Sequence, residues 1–502
     1  MDTLNALLLG FDQAILPTNL FWCLIGTLLG TLVGVLPGLG PAATMAILLP
    51  FTIGLEPVTS LIMLAGIYYG AQYGGSTTAI LLNLPGEASS VVTAIDGYKM
   101  ARQGRAGVAL ATAAIGSFFA GTVATLLLAL FAPSLAEVGL LFGPAEYFSL
   151  MVLGLIASVV LSRGSLPKAL AMVFIGILVG LIGQDVQTAV PRFTLGFEEM
   201  SSGVNFVVVA MGLFGIGELI KDLENPESRT AIHAPFFSMI PSREDWRRMV
   251  APILRGTGIG SVLGLLPGGG ALLAAFAAYA IEKRVANPPE GFGGGAIEGV
   301  AAPESANNAA AQTSFIPLLT LGIPPNAVMA LMVGAMTIHG IVPGPQVMQK
   351  QPELVWGMIA SMWIGNLMLI IINLPLVGIW VRLLRVPYRL MFPSIVVFCA
   401  IGIYSVNNAP VDVILAGAFG LVGYWLIKHD FEPAPLLLGM VLGPLMEENL
   451  RRALLISRGD WSVFLTRPLS AVLLAIAAGL LVLAVLPALR AKRDEVFVES
   501  EG

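Results

Sequence analysis

The sequence predicts an all-α integral membrane protein of many crossings, built as two inverted structural repeats that contain broken helices or re-entrant hairpins. Three observations predict it. Of 502 residues, 56% are hydrophobic and 11% charged, against about 25% charged in an ordinary soluble domain. A mean hydropathy of +0.86 is sustained from end to end, with charges confined to short islands; a soluble chain of this length needs a broad polar surface, so most of this surface must meet lipid. Finally, one string occurs twice at a constant offset of 230, GTLLGTLVGVLPGLG at 26–40 and GTGIGSVLGLLPGGG at 256–270.

A crossing helix needs about 20 apolar residues. Such segments fall at 20–36, 41–53, 58–84, 106–132, 146–161, 168–190 and 203–220, several of them too short to cross alone. The longest polar stretch follows, with Lys221, Arg229, Arg243, Arg247, Arg248 and Arg255. Further apolar segments lie at 256–282, 304–323, 325–342, 353–381, 390–408, 411–427, 434–446 and 469–488. The expected organisation is a first membrane repeat at 1–220, a basic cytoplasmic linker at 221–255, a second membrane repeat with an extra C-terminal helix at 256–488, and a polar tail at 489–502.

Positive charge favours the cytoplasmic side. With Lys99, Arg102 and Arg105, Arg163 and Lys168, and the 221–255 stretch all inside, the intervening segments cross in pairs. Segment 58–84 then makes one crossing, and 20–53 goes in and returns. The first half has an odd number of crossings, so the second starts on the opposite side and the repeats are inverted, as in many secondary carriers. The end fits less well: Arg451, Arg452, Arg458 and Arg467 flank segment 469–488 on one side and Arg490, Lys492 and Arg493 on the other. One cluster must break the rule if that segment spans.

Several function classes lose ground on composition. The opening MDTLNALLLGFDQ has no basic residue, so it lacks the n-region of a cleavable signal peptide and is expected to stay in the mature protein. Cys23 and Cys399 lie far apart, and only three histidines are present; neither a cysteine framework nor a zinc site is expected. No G-x-x-x-x-G-K-[ST] string occurs, so ATP hydrolysis would belong to another chain.

The repeated strings require an explanation, because backbone groups cannot stay unpaired in hydrocarbon. Proline removes a donor and glycine permits the turn that follows, so the chain is expected to leave helix at Pro37, Gly38 and Gly40, and again at Pro267, Gly268, Gly269 and Gly270. Such breaks are tolerated where they line a cavity; a kinked scaffold helix or a surface loop is the plainer alternative. Upstream, Gly26, Gly30 and Gly34, like Gly256, Gly260 and Gly264, lie four apart and allow close helix contact.

A second polar element follows each string. In the first half Gly75, Ser76, Thr77 and Thr78 precede Asn83, Pro85 and Gly86; in the second, Glu304, Asn307 and Asn308 precede Thr313, Ser314, Gly322 and Pro324. Glu304 and Asn308 share a helical face. The hydroxyls either serve a ligand or bond back to their own helices. Helix ends near such breaks can receive a carboxylate, and carbonyls can receive Na⁺. Glu304 is the one acid identified in these elements, either in the pathway or at the cytoplasmic mouth beside Glu298. Asp96, Asp185, Asp412 and Glu432 are expected at helix edges, and Tyr68, Tyr69 and Tyr73 in packing or a vestibule wall.

The strings GTLVGVLPGLGPAAT (30–44), YYGAQYGGSTTAILLNLPGEASSVVTAIDGY (68–98), GLLPGGGALLAAFAAYAIEK (264–283) and PESANNAAAQTSFIPLLTLGIPPNAVMALMVGAM (303–336) resemble the large membrane subunit, or permease, of the bacterial tripartite tricarboxylate transporters. The resemblance covers about residues 10–488. It implies a secondary carrier of the inner membrane that imports tricarboxylates or related organic anions on a Na⁺ or H⁺ gradient. It also implies two partners, a periplasmic solute-binding protein and a small four-helix membrane subunit. By resemblance the loop glycines and prolines, with Gly75 to Thr78 and Asn307 to Ser314, supply pocket groups. No cofactor or fixed metal is implied beyond a possible Na⁺ near the breaks. Leu39 stands opposite Gly269, and Glu304 to Asn308 has no counterpart cluster in the first half, which argues against two symmetric sites. A channel, a membrane enzyme and a scaffold are the competing readings; they would show, respectively, a continuous polar pore, a catalytic cluster at membrane depth, or no paired polar breaks.

Overall fold

Glycine spacing and proline position determine how the helices begin, break and meet. The computed structural model describes residues 3–36, 39–84, 86–162, 165–185, 188–224, 239–268, 270–286, 291–383 and 388–485. The first half runs α1 (Thr3–Ala14), α2 (Pro17–Gly34), α3 (Pro41–Leu48), α4 (Pro57–Leu82), α5 (Ser90–Met100), α6 (Ala106–Gly139), α7 (Pro144–Leu161), α8 (Leu166–Gly180), α9 (Phe206–Ala210) and α10 (Gly217–Glu224). The second runs α11 (Arg243–Leu263), α12 (Gly270–Val285), α13 (Glu298–Thr313), α14 (Phe315–Leu321), α15 (Ala327–Ile338), α16 (Pro345–Lys350), α17 (Pro352–Asn373), α18 (Val377–Leu383), α19 (Tyr388–Asn407), α20 (Pro410–Lys428), α21 (Ala434–Ile456), α22 (Val463–Thr466) and α23 (Pro468–Val485). Proline opens α2, α3, α4, α7, α17 and α20, where its missing amide costs no helical bond. Among the described residues, five helical stretches are long and apolar enough to cross a membrane: 17–34, 90–139, 144–161, 352–373 and 410–428.

The four-spaced glycines bring two helix pairs into backbone contact. Gly26, Gly30 and Gly34 of α2 lie against Met63, Ile67 and Ala71 of α4, and Gly256, Gly260 and Gly264 of α11 against Ala302, Ala306 and Ala310 of α13. Both partners advance by four residues in the same direction, so each pair is parallel. The short helices α3 and α12 lie between the members of their pairs in sequence. The second elements also match: α4 ends at Asn83 with φ 57° and α14 at Gly322 with φ 73°, both left-handed caps, the second donating its amide to the Leu318 carbonyl at 3.0 Å. These caps, and the contact pairs Met63 and Ala302, share an offset of 239.

Several predicted boundaries move. The stretch 221–255 is entered by α10 up to Glu224 and by α11 from Arg243; 225–238 lie outside the described residues, as does the tail 489–502. Ser242 caps α11 in a box with Asp245, and two of its arginines are paired, Arg248 with Glu298 at 2.7 Å and Arg255 with Glu282 at 2.5 Å. Asp245 is buried, which opposes its charge, yet the Ser242 hydrogen bonds and Arg105 hold its carboxyl below the usual carboxylate range. The predicted 353–381 segment stops at Asn373, because Pro375 disfavours helix at the residue before it. The 168–190 segment stops at Gly180 and passes into a short antiparallel pair, Gly183–Gln184 with Pro191–Arg192.

The position of the C-terminal charges follows from α21. Gly176 and Gly180 of α8 sit against Leu436 and Met440, so α21 runs parallel to α8 and carries Arg451 to Asp185 at 2.8 Å. Arg192 meets Glu447 at 2.8 Å, and Arg467 meets Glu146 at the start of α7 at 3.1 Å. Lys168, at the opposite end of α8, donates to the His429 carbonyl at 2.6 Å. The cluster from Arg451 to Arg467 therefore lies at the end of the bundle away from Lys168. With Lys168 inside, it is this cluster that breaks the charge rule, and Arg451, Arg452 and Arg467 are each paired with a carboxylate. Those pairs let α21 run to Ile456, past the predicted stop at 446.

Candidate functional site

The helix breaks face a common interior space. A cavity of about 450 Å³ is lined by Gly40, Pro41 and Ala42 from the first string and by Gly268, Gly270 and Ala271 from the second. The second breaks reach it too, through Gly86, Glu87 and Ser89 in one half and Asn326, Ala327 and Val328 in the other. The first turns of α3, α5, α12, α15 and α21 thus border one space, and each such end presents amides without helical partners and a partial positive charge. Gly268 holds its corner with φ +83° and donates its amide to the Pro325 carbonyl at 2.7 Å. A side chain there would begin 2.6 Å from Ser158 Cα. The described lining contains the acids Glu87, Glu218 and Glu432 and no Lys or Arg.

Behind this wall a polar chain runs into the bundle. With its amide nitrogen turned toward Glu87, Gln72 donates to Oε2 at 2.7 Å, and Ser89 donates to Oε1 of the same carboxylate. Asn307 reaches Ser89 Oγ at 3.4 Å, and Asn308 Nδ2 reaches Asn307 Oδ1 at 2.6 Å and Ser117 Oγ at 2.7 Å. The chain ends at Glu304, fully buried, which accepts from Ser76 at 2.8 Å on both oxygens, Thr93 at 2.5 Å and Ser117 at 3.4 Å. Buried polar groups are stable only when bonded, and here neutral hydroxyls carry the carboxylate. A second void, of about 20 Å³, adjoins Glu304, Ser76, Thr77, Ser117, Tyr73 and Asn373.

The candidate residues divide into distinct groups. Gly40, Gly268 and Gly270 line the large cavity, while Pro267 stands beside it in the same turn; Pro37, Gly38 and Gly269 lie outside the described residues. Gly75 abuts Glu87, whose Cγ a side chain at Gly75 would meet at 2.8 Å. Ser76, Glu304, Asn307 and Asn308 join the buried chain. Thr77, Thr78, Thr313 and Ser314 bond back to carbonyls of their own helices, because a hydroxyl in apolar surroundings takes the nearest acceptor. Asn83 is exposed and caps α4 without lining either space. Glu304 is fully buried, six residues along α13 from Glu298, which pairs with Arg248. Asp96 is fully buried and accepts from the Gly295 and Ala296 amides and from Tyr279, which pins the entry to α13. Glu432 lines the large cavity.

Glu304 is not the one acid of these elements. Glu87 follows Pro85-Gly86 directly, and Asn326 follows Pro324-Pro325. They stand 239 apart, the offset of the two caps, and extending the repeat through the second break would have found both. Gln72, Thr93 and Ser117 come from helix interiors, Ser89 from the cap of α5 and Asn373 from the end of α17, positions that only packing brings together.

Helix breaks that meet around one cavity, in a chain with five described helical stretches long and apolar enough to cross a membrane, fit a multi-pass membrane protein with a transport role. The chain belongs to the tripartite tricarboxylate transporter TctA family, whose match spans residues 20–438. It is a transporter permease of the inner membrane and not an enzyme. It is 61% identical over 501 residues, the whole of both chains, to an uncharacterized 52.8 kDa protein of the TAR-I ttuC′ 3′ region of Agrobacterium vitis. It is 62% identical over 242 residues, 48% of this chain and all of the relative, to an uncharacterized protein of the TAR-II ttuC′ 3′ region of the same organism. No solved structure matches the chain.

Proposed function

We propose that this permease imports a tricarboxylate or related organic anion on a Na⁺ or H⁺ gradient, taking the solute from a periplasmic binding protein and working beside a small four-helix membrane subunit. The carrying observation is the ring of five helix N-termini around one cavity. Each end is equivalent to about half a positive charge, so several together can hold a carboxylate without Arg or Lys. The cavity volume of about 450 Å³ lies in the range of small-molecule sites.

Gradient coupling has its own support. Glu87, Glu218 and Glu432 on the wall would repel a bare anion, and a cation or proton entering with the solute offsets that repulsion. In this reading the halves 1–220 and 256–488 are inverted repeats, α2–α3 and α11–α12 are re-entrant hairpins, the solute is held at Gly40, Ser89, Gly268, Gly270 and Asn326, and Glu87 faces the cation or proton that enters with it. Thr77, Thr78, Asn83, Thr313 and Ser314 take no part in binding the solute.

The test is uptake by the reconstituted three-protein complex in proteoliposomes, with the solute chosen by direct binding to the cognate periplasmic protein. Uptake should require this chain and an imposed Na⁺ or H⁺ gradient. An unchanged rate after the gradient is collapsed, without ATP, would remove the coupled-carrier reading.

A further inference from the structure

The void beside Glu304 is separate from the large cavity and from the helix breaks. Its floor is the buried Glu304 carboxylate, held by Ser76 and Ser117. Across it stands Asn373, near the end of α17 and 5% exposed. The Asn373 amide nitrogen donates to the Leu369 carbonyl at 2.9 Å, while its Oδ1 meets no donor among the described residues. An amide oxygen buried without a donor is rare in a folded protein, and the Asn373 side chain lines the same void as the Glu304 side chain. The volume of about 20 Å³ admits one water-sized body.

We propose that this void is a binding site for a single sodium ion, with Glu304, Asn373 Oδ1 and the Ser76 and Ser117 hydroxyl oxygens as its ligand groups. The donor set is all oxygen, which suits a hard cation. A dehydrated sodium ion is no larger than a water molecule. One carboxylate balances one positive charge, whereas a divalent ion would leave an excess charge at membrane depth, where charges are costly. Hydroxyl groups that donate to Glu304 can rotate and offer their lone pairs instead. The site draws on α4, α6, α13 and α17, so an ion there ties both halves of the chain together. The chain of Ser117, Asn308, Asn307 and Ser89 connects it to Glu87 on the cavity wall, a route by which ion and solute occupancy can affect each other.

The proposal rests on the transport reading and is tested apart from it, on the full-length chain alone in detergent or nanodiscs. Thermal unfolding is followed as NaCl replaces choline chloride at constant ionic strength, together with saturable ²²Na⁺ binding. A ligand that binds only the folded state raises Tm, so sodium should raise it where choline does not. Glu304→Gln should abolish both effects, and Asn373→Ala should weaken apparent sodium affinity by about tenfold or more, the scale of a disturbed metal shell. Asn373→Ala removes only one own-helix side-chain bond and keeps the test open if Glu304→Gln misfolds. No sodium effect on the wild-type chain, or equal sodium effects in wild type and Asn373→Ala, would overturn the site. Failure of uptake with sodium binding intact would count against the transport reading only.

Discussion

Two glycines of the repeated strings do different work although the sequence presents them alike. Gly268 has φ +83° and backbone within 2.6 Å of where a Cβ would stand. Gly40 has φ −67°, and no described residue comes within 4 Å of the same point. Replacing Gly268 with leucine forces both a left-handed side-chain residue and an overlap with Ser158, a strain of more than about 2 kcal/mol. Gly268→Leu should therefore abolish uptake while membrane insertion persists, and Gly40→Ala should retain most of it. Uptake rate normalised to the amount of inserted protein measures both; normal uptake in Gly268→Leu would place this loop away from the pathway.

At the scale of elements, the parallel pairs α2/α4 and α11/α13 depend on glycine as the absence of a side chain. Lipid offers no hydrophobic drive between helices, so close packing must supply the attraction. Gly260 and Gly258 provide a matched comparison on one helix: a Cβ at Gly260 would lie 2.7 Å from Ala306 Cα, whereas at Gly258 it meets nothing within 4 Å. Gly260→Leu should lower the Tm of the detergent-solubilised chain by an amount equivalent to about 2 kcal/mol or more, and Gly258→Leu should leave it nearly unchanged. The polar residues show how far spacing alone can reach. Glu304 and Asn308 share a face in sequence and both meet Ser117 in the structure. The residues that receive them lie on other helices, at separations that no local pattern encodes.

At the scale of the whole molecule, the parallel run of α8 and α21 sets which end of the bundle holds each charge cluster. If Lys168 is inside, the paired arginines lie on the outer face, where their carboxylate partners offset much of the bias that would retain them inside. A cysteine at Arg458 should react with a membrane-impermeant thiol reagent added to intact cells, and one at Lys221 only after the inner membrane is opened. Cys23 and Cys399 are both buried, which keeps the background low. The opposite labelling pattern would reverse this orientation.

The sequence by itself determined the solvent, the repeated breaks and the close-packed glycine faces. Composition, chain geometry and the period of a helix are local or additive properties, and each is written into neighbouring residues. Tertiary structure alone decided which polar groups became a site. It turned Thr77, Thr78, Thr313 and Ser314 back onto their own helices, brought Glu87 and Asn326 to one cavity, and set Asn373 across a void from Glu304. A buried polar atom must find its partner among whatever the packing places beside it, and that neighbour is fixed by distant crossings of the chain.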